Sequence, residues 1–96
     1  MKLTDFQFLQ QLAALPFVET LLLFGSRARG DHRERSDIDL AVYCPDASDS
    51  QWFDVLAIVE EADTLLMIDC IRLDAEPADS TLRAAIEQDG KVLYER

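Results

Sequence analysis

Glycine and proline are scarce in this chain, at three each, and there are only two cysteines and one histidine. Cys44 and Cys70 both lie among apolar neighbours and read as buried free thiols of a cytosolic protein, with a single disulfide as the alternative. Long apolar runs are missing too. Leu21 to Phe24 and Leu65 to Ile68 are far too short to cross a bilayer. The N-terminus lacks a basic segment followed by an apolar stretch and a small-residue cleavage site, so export is not indicated and a cytoplasmic location is expected. No repeat, low-complexity tract or internal linker divides the 96 residues, which predicts one domain over residues 1–96 with a modest core.

Positive charge is also sparse. Nine basic residues face 19 acidic ones, for a formal net charge of -10, which argues against a broad nucleic-acid surface. The few cations are unevenly spread, with Arg27, Arg29, Arg33 and Arg35 all between Gly25 and Ser36, where Asp31 and Glu34 are the only acids. A locally basic loop in an acidic protein suits a small polyanion such as a nucleoside triphosphate. A solvated loop with its own ion pairs is the plainer reading of the same residues.

The chain is 49% hydrophobic, and its apolar residues are periodic. Leu3, Phe6, Leu9 and Leu12 predict a helix from about Lys2 to Leu15, ended by Pro16. Val18 to Phe24 predicts a strand that stops at Gly25, followed by a short helical turn over Ser26 to Gly30. Asp37 to Tyr43 predicts a second strand. Trp52, Val55, Leu56, Val59 and Ala62 predict a long helix capped by Asp49 or Ser50. Leu65 to Leu73 predicts a third strand, Ser80 or Asp79 caps a last helix that ends near Gly90, and Lys91 to Tyr94 adds a short edge strand. This is a single α/β (α+β) layer structure. The first two strands are too close for a long crossover, so the sheet is expected to be antiparallel or mixed.

Asp37 and Asp39 stand two apart on a predicted strand, which points both carboxylates to one face, opposite Ile38, Leu40 and Val42. Their repulsion is costly unless a cation sits between them. Mg²⁺ is the natural candidate, since it takes one or two carboxylates and completes its octahedron with waters and phosphate oxygens. Alternatively, the strand begins late and Asp37 merely ends a turn. Gly25 allows a tight turn and close approach to a ligand. The helical turn after it would aim N–H groups and a positive dipole end at a phosphate, with the Ser26 hydroxyl as a further donor. The alternative there is a plain strand-to-helix turn with Ser26 as N-cap. Neither the Walker A lysine nor its glycine spacing is present, and there is no dinucleotide fingerprint. Asp69 interrupts an apolar strand, where an unpaired charge is expensive. It is the candidate third carboxylate, with Asp74 as the fallback, and pairing with Arg72 or a loop arginine is the structural alternative. His32 reads as solvated, and Trp52 and Phe53 as core or interface.

The segment from Leu23-Phe24-Gly25-Ser26-Arg27-Ala28-Arg29-Gly30 to Ser36-Asp37-Ile38-Asp39-Leu40-Ala41-Val42 resembles the polymerase-beta-like nucleotidyltransferase superfamily, and most of all its minimal nucleotidyltransferases (the MNT family). Their signature is Gly-Ser, ten residues, then Asp-X-Asp. The Ala-Arg-Gly after Gly-Ser and the Ser before the first Asp agree as well, while the third acid is matched without a fixed spacing.

The resemblance implies a mixed sheet of three to four strands backed by helices, with the active site at the ends of the first two strands. It implies that Ser26 and the backbone of Gly25 hold the triphosphate of ATP, assisted by Arg27 and Arg29, with a structural role for one of these arginines as the alternative. Asp37 and Asp39 would bind two Mg²⁺ ions, with Asp69 completing the metal site as the base. It further implies attack of a hydroxyl on the α-phosphorus with pyrophosphate leaving.

Larger relatives carry an acceptor-holding domain, so the acceptor here is expected either to come on a partner or to bind an open cleft. Chains similar to this one are often encoded beside a HEPN-domain RNase toxin, which they neutralise by binding it and transferring AMP to a tyrosine, in a type VII-like toxin–antitoxin pair. The resemblance therefore implies a HEPN-domain partner in a hetero-oligomer, with neither nucleic acid nor membrane bound directly. A module that neutralises its partner by binding alone is the alternative, and a small-molecule nucleotidyltransferase is a third reading.

Overall fold

The apolar, strand-forming runs of the sequence fold into a four-stranded sheet. In the computed structural model, which describes residues 1–33 and 35–96, β1 spans Thr20–Phe24, β2 Ile38–Tyr43, β3 Ile68–Arg72 and β4 Lys91–Glu95. The helices are α1 (Gln7–Ala13), α2 (Ser26–Arg29), α3 (Asp49–Glu60) and α4 (Thr81–Asp89), with 3-10 turns at Leu3–Asp5 and Leu73–Ala75. The strand order is β3-β2-β1-β4. β1 is antiparallel to both β2 and β4, whereas β2 and β3 are parallel. The parallel pair is the one joined through a helix, α3, as a parallel connection requires. The sheet is therefore mixed.

Period-2 alternation divides the sheet into two faces. Leu21 and Leu23 of β1 and Ile38, Leu40 and Val42 of β2 are fully buried against Phe8, Leu9 and Leu12 of α1 and Val55 of α3. Each such side chain contributes about 1.5–3 kcal/mol through burial. On the other face Ala41 packs with Leu73 and with Ile86 of α4, flanked by Leu22, Phe24 and Ile71. Asp39 and Asp69 lie on this second face, since they stand two residues before Ala41 and Ile71.

Several boundaries differ from the sequence expectation. The first helix is interrupted at Phe6, which is extended (φ -135°, ψ 140°). The Asp63 carboxylate accepts the Gln7 and Phe8 N–H groups (3.0 and 3.1 Å) and so starts α1 from a residue distant in sequence. The third strand begins at Ile68 rather than Leu65, because its partner β2 begins at Ile38; Leu65 and Met67 are left exposed. The N-cap of α3 is Ser48, whose hydroxyl accepts the Gln51 N–H while the Gln51 side chain accepts the Ser48 N–H. Ser80 caps α4 by accepting the Arg83 N–H. Gly90 ends α4 in an extended conformation, not the left-handed one. Both cysteines are free thiols, Cys44 buried and Cys70 partly so. Among the described residues, no helix is long and apolar enough to cross a membrane.

Candidate active site

The site begins where β1 ends. Gly25 has φ 71° and ψ -152°, a conformation that disfavours any side chain. A Cβ placed there would also collide with the Asp39 carboxylate. The turn after the first strand and the second acid of Asp37-Ile38-Asp39 are thus in van der Waals contact across the β1–β2 pair, where Phe24 faces Asp39.

Ser26 opens α2, a single turn. The Gly25 carbonyl accepts the Ala28 and Arg29 N–H groups (3.1 Å each), and Gly30 closes the turn at φ 82° by donating to the Ser26 carbonyl (3.0 Å). Four residues sum few peptide dipoles, so the dipole end expected from the sequence is weak here. Any hold on an anion rests on local N–H groups, the Ser26 hydroxyl and side-chain charge.

The arginines of the loop have separate roles. Arg27 donates from Nε and Nη2 to the Ser36 carbonyl (3.1 and 2.8 Å), while the Ser36 hydroxyl accepts the Arg33 N–H (2.8 Å). These bonds tie α2 to the residue before Asp37. Arg29 is exposed and paired with Asp31 at 3.3 Å. It is also the cation that acts on Asp39. Glu34, the other acid of this loop, lies outside the described residues.

The three candidate carboxylates gather at one end of the β2–β3 pair. Asp39 and Asp69 are direct neighbours in the parallel register. Asp37 stands just ahead of the strand rather than on it, because the first ladder bond is given by Ile38 N–H to the Met67 carbonyl (2.8 Å). It lines a cavity of about 380 Å³ together with Arg35, Leu65, Leu66 and Met67. Burial first, then the charges of Asp69 and Asp37, push the Asp39 carboxyl above its ordinary range, and Arg29 pulls it back. Asp37 and Asp69 are exposed, and Asp39 is half-buried.

Asp74, the fallback third carboxylate, sits beyond the opposite end of β3. It accepts the Cys44 N–H and the Arg72 Nε–H (2.8 Å each). Arg72 is therefore committed to Asp74 and does not neutralise Asp69. It also donates to the Cys44 and Ala47 carbonyls and lies 5.8 Å from the Trp52 ring centre. Trp52 is thus a packing residue. His32 is exposed in the loop.

A divalent cation fits the donor set. Among the described residues, no group of three His, Cys, Asp or Glu side chains converges closely enough to form a protein-only cage. Mg²⁺ does not need one, since one or two carboxylates with phosphate oxygens and waters satisfy it. The raised carboxyl of Asp39, repelled by both neighbours, is the group such a cation would stabilise. The apolar wall of the cavity beside Asp37 was hidden in the sequence, where Leu65-Leu66-Met67 reads as strand core.

Known proteins share this fold. A family model described as Polymerase beta, Nucleotidyltransferase matches residues 7–96. No curated protein matches the chain. Among solved structures, a toxin–antitoxin with AMP-PNP is 23% identical with a TM-score of 0.64, over 94% of this chain and 69% of that one. A mutant of the toxin–antitoxin MntA-HpeT is 25% identical with a TM-score of 0.64, over 94% and 68%. A structure described as a nucleotidyltransferase from Sulfolobus solfataricus is 26% identical with a TM-score of 0.61, over 94% and 76%. With the family model covering nearly the whole chain and the same fold in these structures, the chain belongs to the polymerase beta nucleotidyltransferase family.

Proposed function

We propose that this nucleotidyltransferase moves AMP from ATP to a hydroxyl, a tyrosine, of a HEPN-domain toxin, and thereby acts as the antitoxin of a toxin–antitoxin pair. The observation that carries the reading is the contact of Gly25 with the Asp39 carboxylate, with Asp37 and Asp69 acting on the same group. It joins a phosphate-compatible turn to a crowded set of carboxylates. Two of the similar solved structures are toxin–antitoxin complexes, one with AMP-PNP, which supports both the partner class and the nucleotide.

In this mechanism Gly25 and Ser26 hold the triphosphate through a backbone N–H and the Ser26 hydroxyl, with Arg29 adding charge. Arg27 holds the loop that carries Asp37. Asp37 and Asp39, joined by Asp69, would hold Mg²⁺, which supplies charge neutralisation at the phosphates when bound. Asp69 accepts the proton of the attacking hydroxyl. The new bond joins that oxygen to the α-phosphorus, and the bond to pyrophosphate breaks. The test is mass spectrometry of the HEPN-domain partner after incubation with this chain, ATP and Mg²⁺. One adenylyl increment or more is expected, and an unchanged mass with accessible tyrosines refutes the reading.

Neutralisation by binding alone is the second reading, favoured by the exposure of Phe53 (65%) and Met67 (72%). The double variant Asp37→Ala with Asp39→Ala separates the two. Transfer predicts loss of neutralisation, whereas binding predicts that it survives.

A further inference from the structure

The apolar wall of the cavity beside Asp37 continues away from the site. Leu65 is completely exposed and Met67 72% exposed, which is unusual for large apolar side chains flanking a charged cleft. Leu66 and Met67 also line a second cavity of about 330 Å³, whose far wall is the C-terminal turn of α3 at Val59 and Glu60. Leu56 and Phe53 precede Glu60 by four and seven residues, so all three share one stripe of α3. Both apolar members of that stripe are exposed.

We propose that this track, from the cavity at Asp37 over Leu65 and Met67 to Leu56 and Phe53, is the docking surface for the acceptor protein, and that its occupant is a basic segment with apolar side chains. The inference rests on the reading of this chain as a protein-directed transferase. Three observations select the occupant. The track starts on the wall that holds Asp37, so a segment lying in it brings its hydroxyl to the carboxylates. Phe53 to Glu60 alone spans roughly 10 Å of helix, which takes the footprint beyond a small acceptor. Among the described residues, the charged side chains lining its two cavities are Asp37 and Glu60 against Arg35, in a chain of net charge -10. That balance attracts a cationic partner and repels a second copy of the same chain.

The test uses the full chain, the HEPN-domain protein as probe, ATP and Mg²⁺. Phe53→Asp and the pair Leu65→Ser with Met67→Ser are compared with wild type. All three side chains are exposed, so the fold is expected to survive, with circular dichroism as the check. Each variant is expected to raise the Kd for the partner by about tenfold or more. Phe53→Asp is expected to raise the KM for the partner with kcat retained, and neither variant is expected to change ATP affinity. Wild-type binding is expected to weaken as salt is raised. Unchanged partner affinity in Phe53→Asp overturns the proposal. So does a fall in ATP affinity with partner affinity retained in the Leu65 and Met67 variant, which would make the first cavity a nucleotide-base site. Loss of a self-dimer in Phe53→Asp would instead assign the surface to a second copy. Failure of the activity is distinct: a wild-type chain that binds the partner but adds no adenylyl group removes the transferase reading and leaves the docking surface standing.

Discussion

The two ends of the β2–β3 pair both carry aspartates, under opposite conditions. At one end Asp37, Asp39 and Asp69 crowd together, and the cation acting on Asp39 is Arg29, exposed and shared with Asp31. At the other end Asp74 is held by Arg72 at 2.8 Å and by a backbone N–H, with both side chains mostly out of solvent. Among the described residues, one end sets its carboxylates against one another beside an exposed, shared cation, and the other satisfies its charge. Mutually repelling charge that the fold nevertheless maintains suits a cationic ligand. A satisfied pair marks scaffold, here the lock between β3 and the loop after β2.

The comparison breaks most sharply at Asp39. Asp39→Asn is expected to lower the transfer rate by more than about a hundredfold. It is also expected to leave the melting temperature unchanged or higher, because a repelled carboxylate is removed. Parallel rate and melting measurements check this, and a large drop in stability would make Asp39 scaffold. Asp74→Ala is expected to do the reverse, costing about 2–3 kcal/mol of stability, because the half-buried Arg72 loses its partner. Denaturant unfolding measures that cost. Transfer per folded molecule is expected to remain near wild type.

Gly25→Ala is expected to disturb both properties. The positive φ costs about 1–3 kcal/mol for a residue with a side chain, and the added methyl displaces the Asp39 carboxylate. Unfolding and nucleotide-binding measurements on this variant should therefore fall together.

Smaller effects sharpen the scaffold side. Two backbone N–H bonds at the start of α1 hold the Asp63 carboxyl below its ordinary range near 3.8. A folded-state value below the unfolded one contributes stability that is present above the ordinary value and is lost as pH falls through the folded one. Melting temperature measured from pH 6 down to 2 is expected to show that acid-sensitive part in wild type, and Asp63→Ala is expected to lack it.

The smallest effect concerns the thiols. Burial, and then the charge of Asp74, pushes Cys44 up to about 11. Burial, and then Asp69, pushes Cys70 to about 12. Neither thiol is expected to react appreciably with iodoacetamide at pH 8 in the folded protein, and both should react in denaturant. Alkylation followed by mass spectrometry distinguishes the two states.

Much of this was legible before folding. Gly25-Ser26, the ten-residue interval and Asp37-Ile38-Asp39 were visible because short motifs impose residue identity at fixed spacing. The element order followed from apolar periodicity and from Pro16, Gly25 and Ser80. The local errors share one cause. Apolar periodicity runs the first helix through Phe6, whereas its actual start is set by Asp63, more than fifty residues away in sequence. Apolar content extends the third strand to Leu65, since it says nothing about whether a neighbouring strand is there to pair with. Spacing alone also does not reveal that Arg27 donates to the Ser36 carbonyl, a contact made by the fold of the loop.

By itself, the sequence determined the element types, the acidic balance and the two halves of the motif, since propensity, charge and spacing are properties of neighbours along the chain. Only the tertiary structure decided which aspartate is scaffold and which joins the cluster. Asp69 and Asp74 are five residues apart, and although the apolar run around Asp69 favours it, the sequence does not say which groups each one meets. The parallel register sets Asp69 beside Asp39, while Arg72 and the Cys44 N–H bind Asp74. Charge interactions depend on distance through space, and that distance is set by strand pairing.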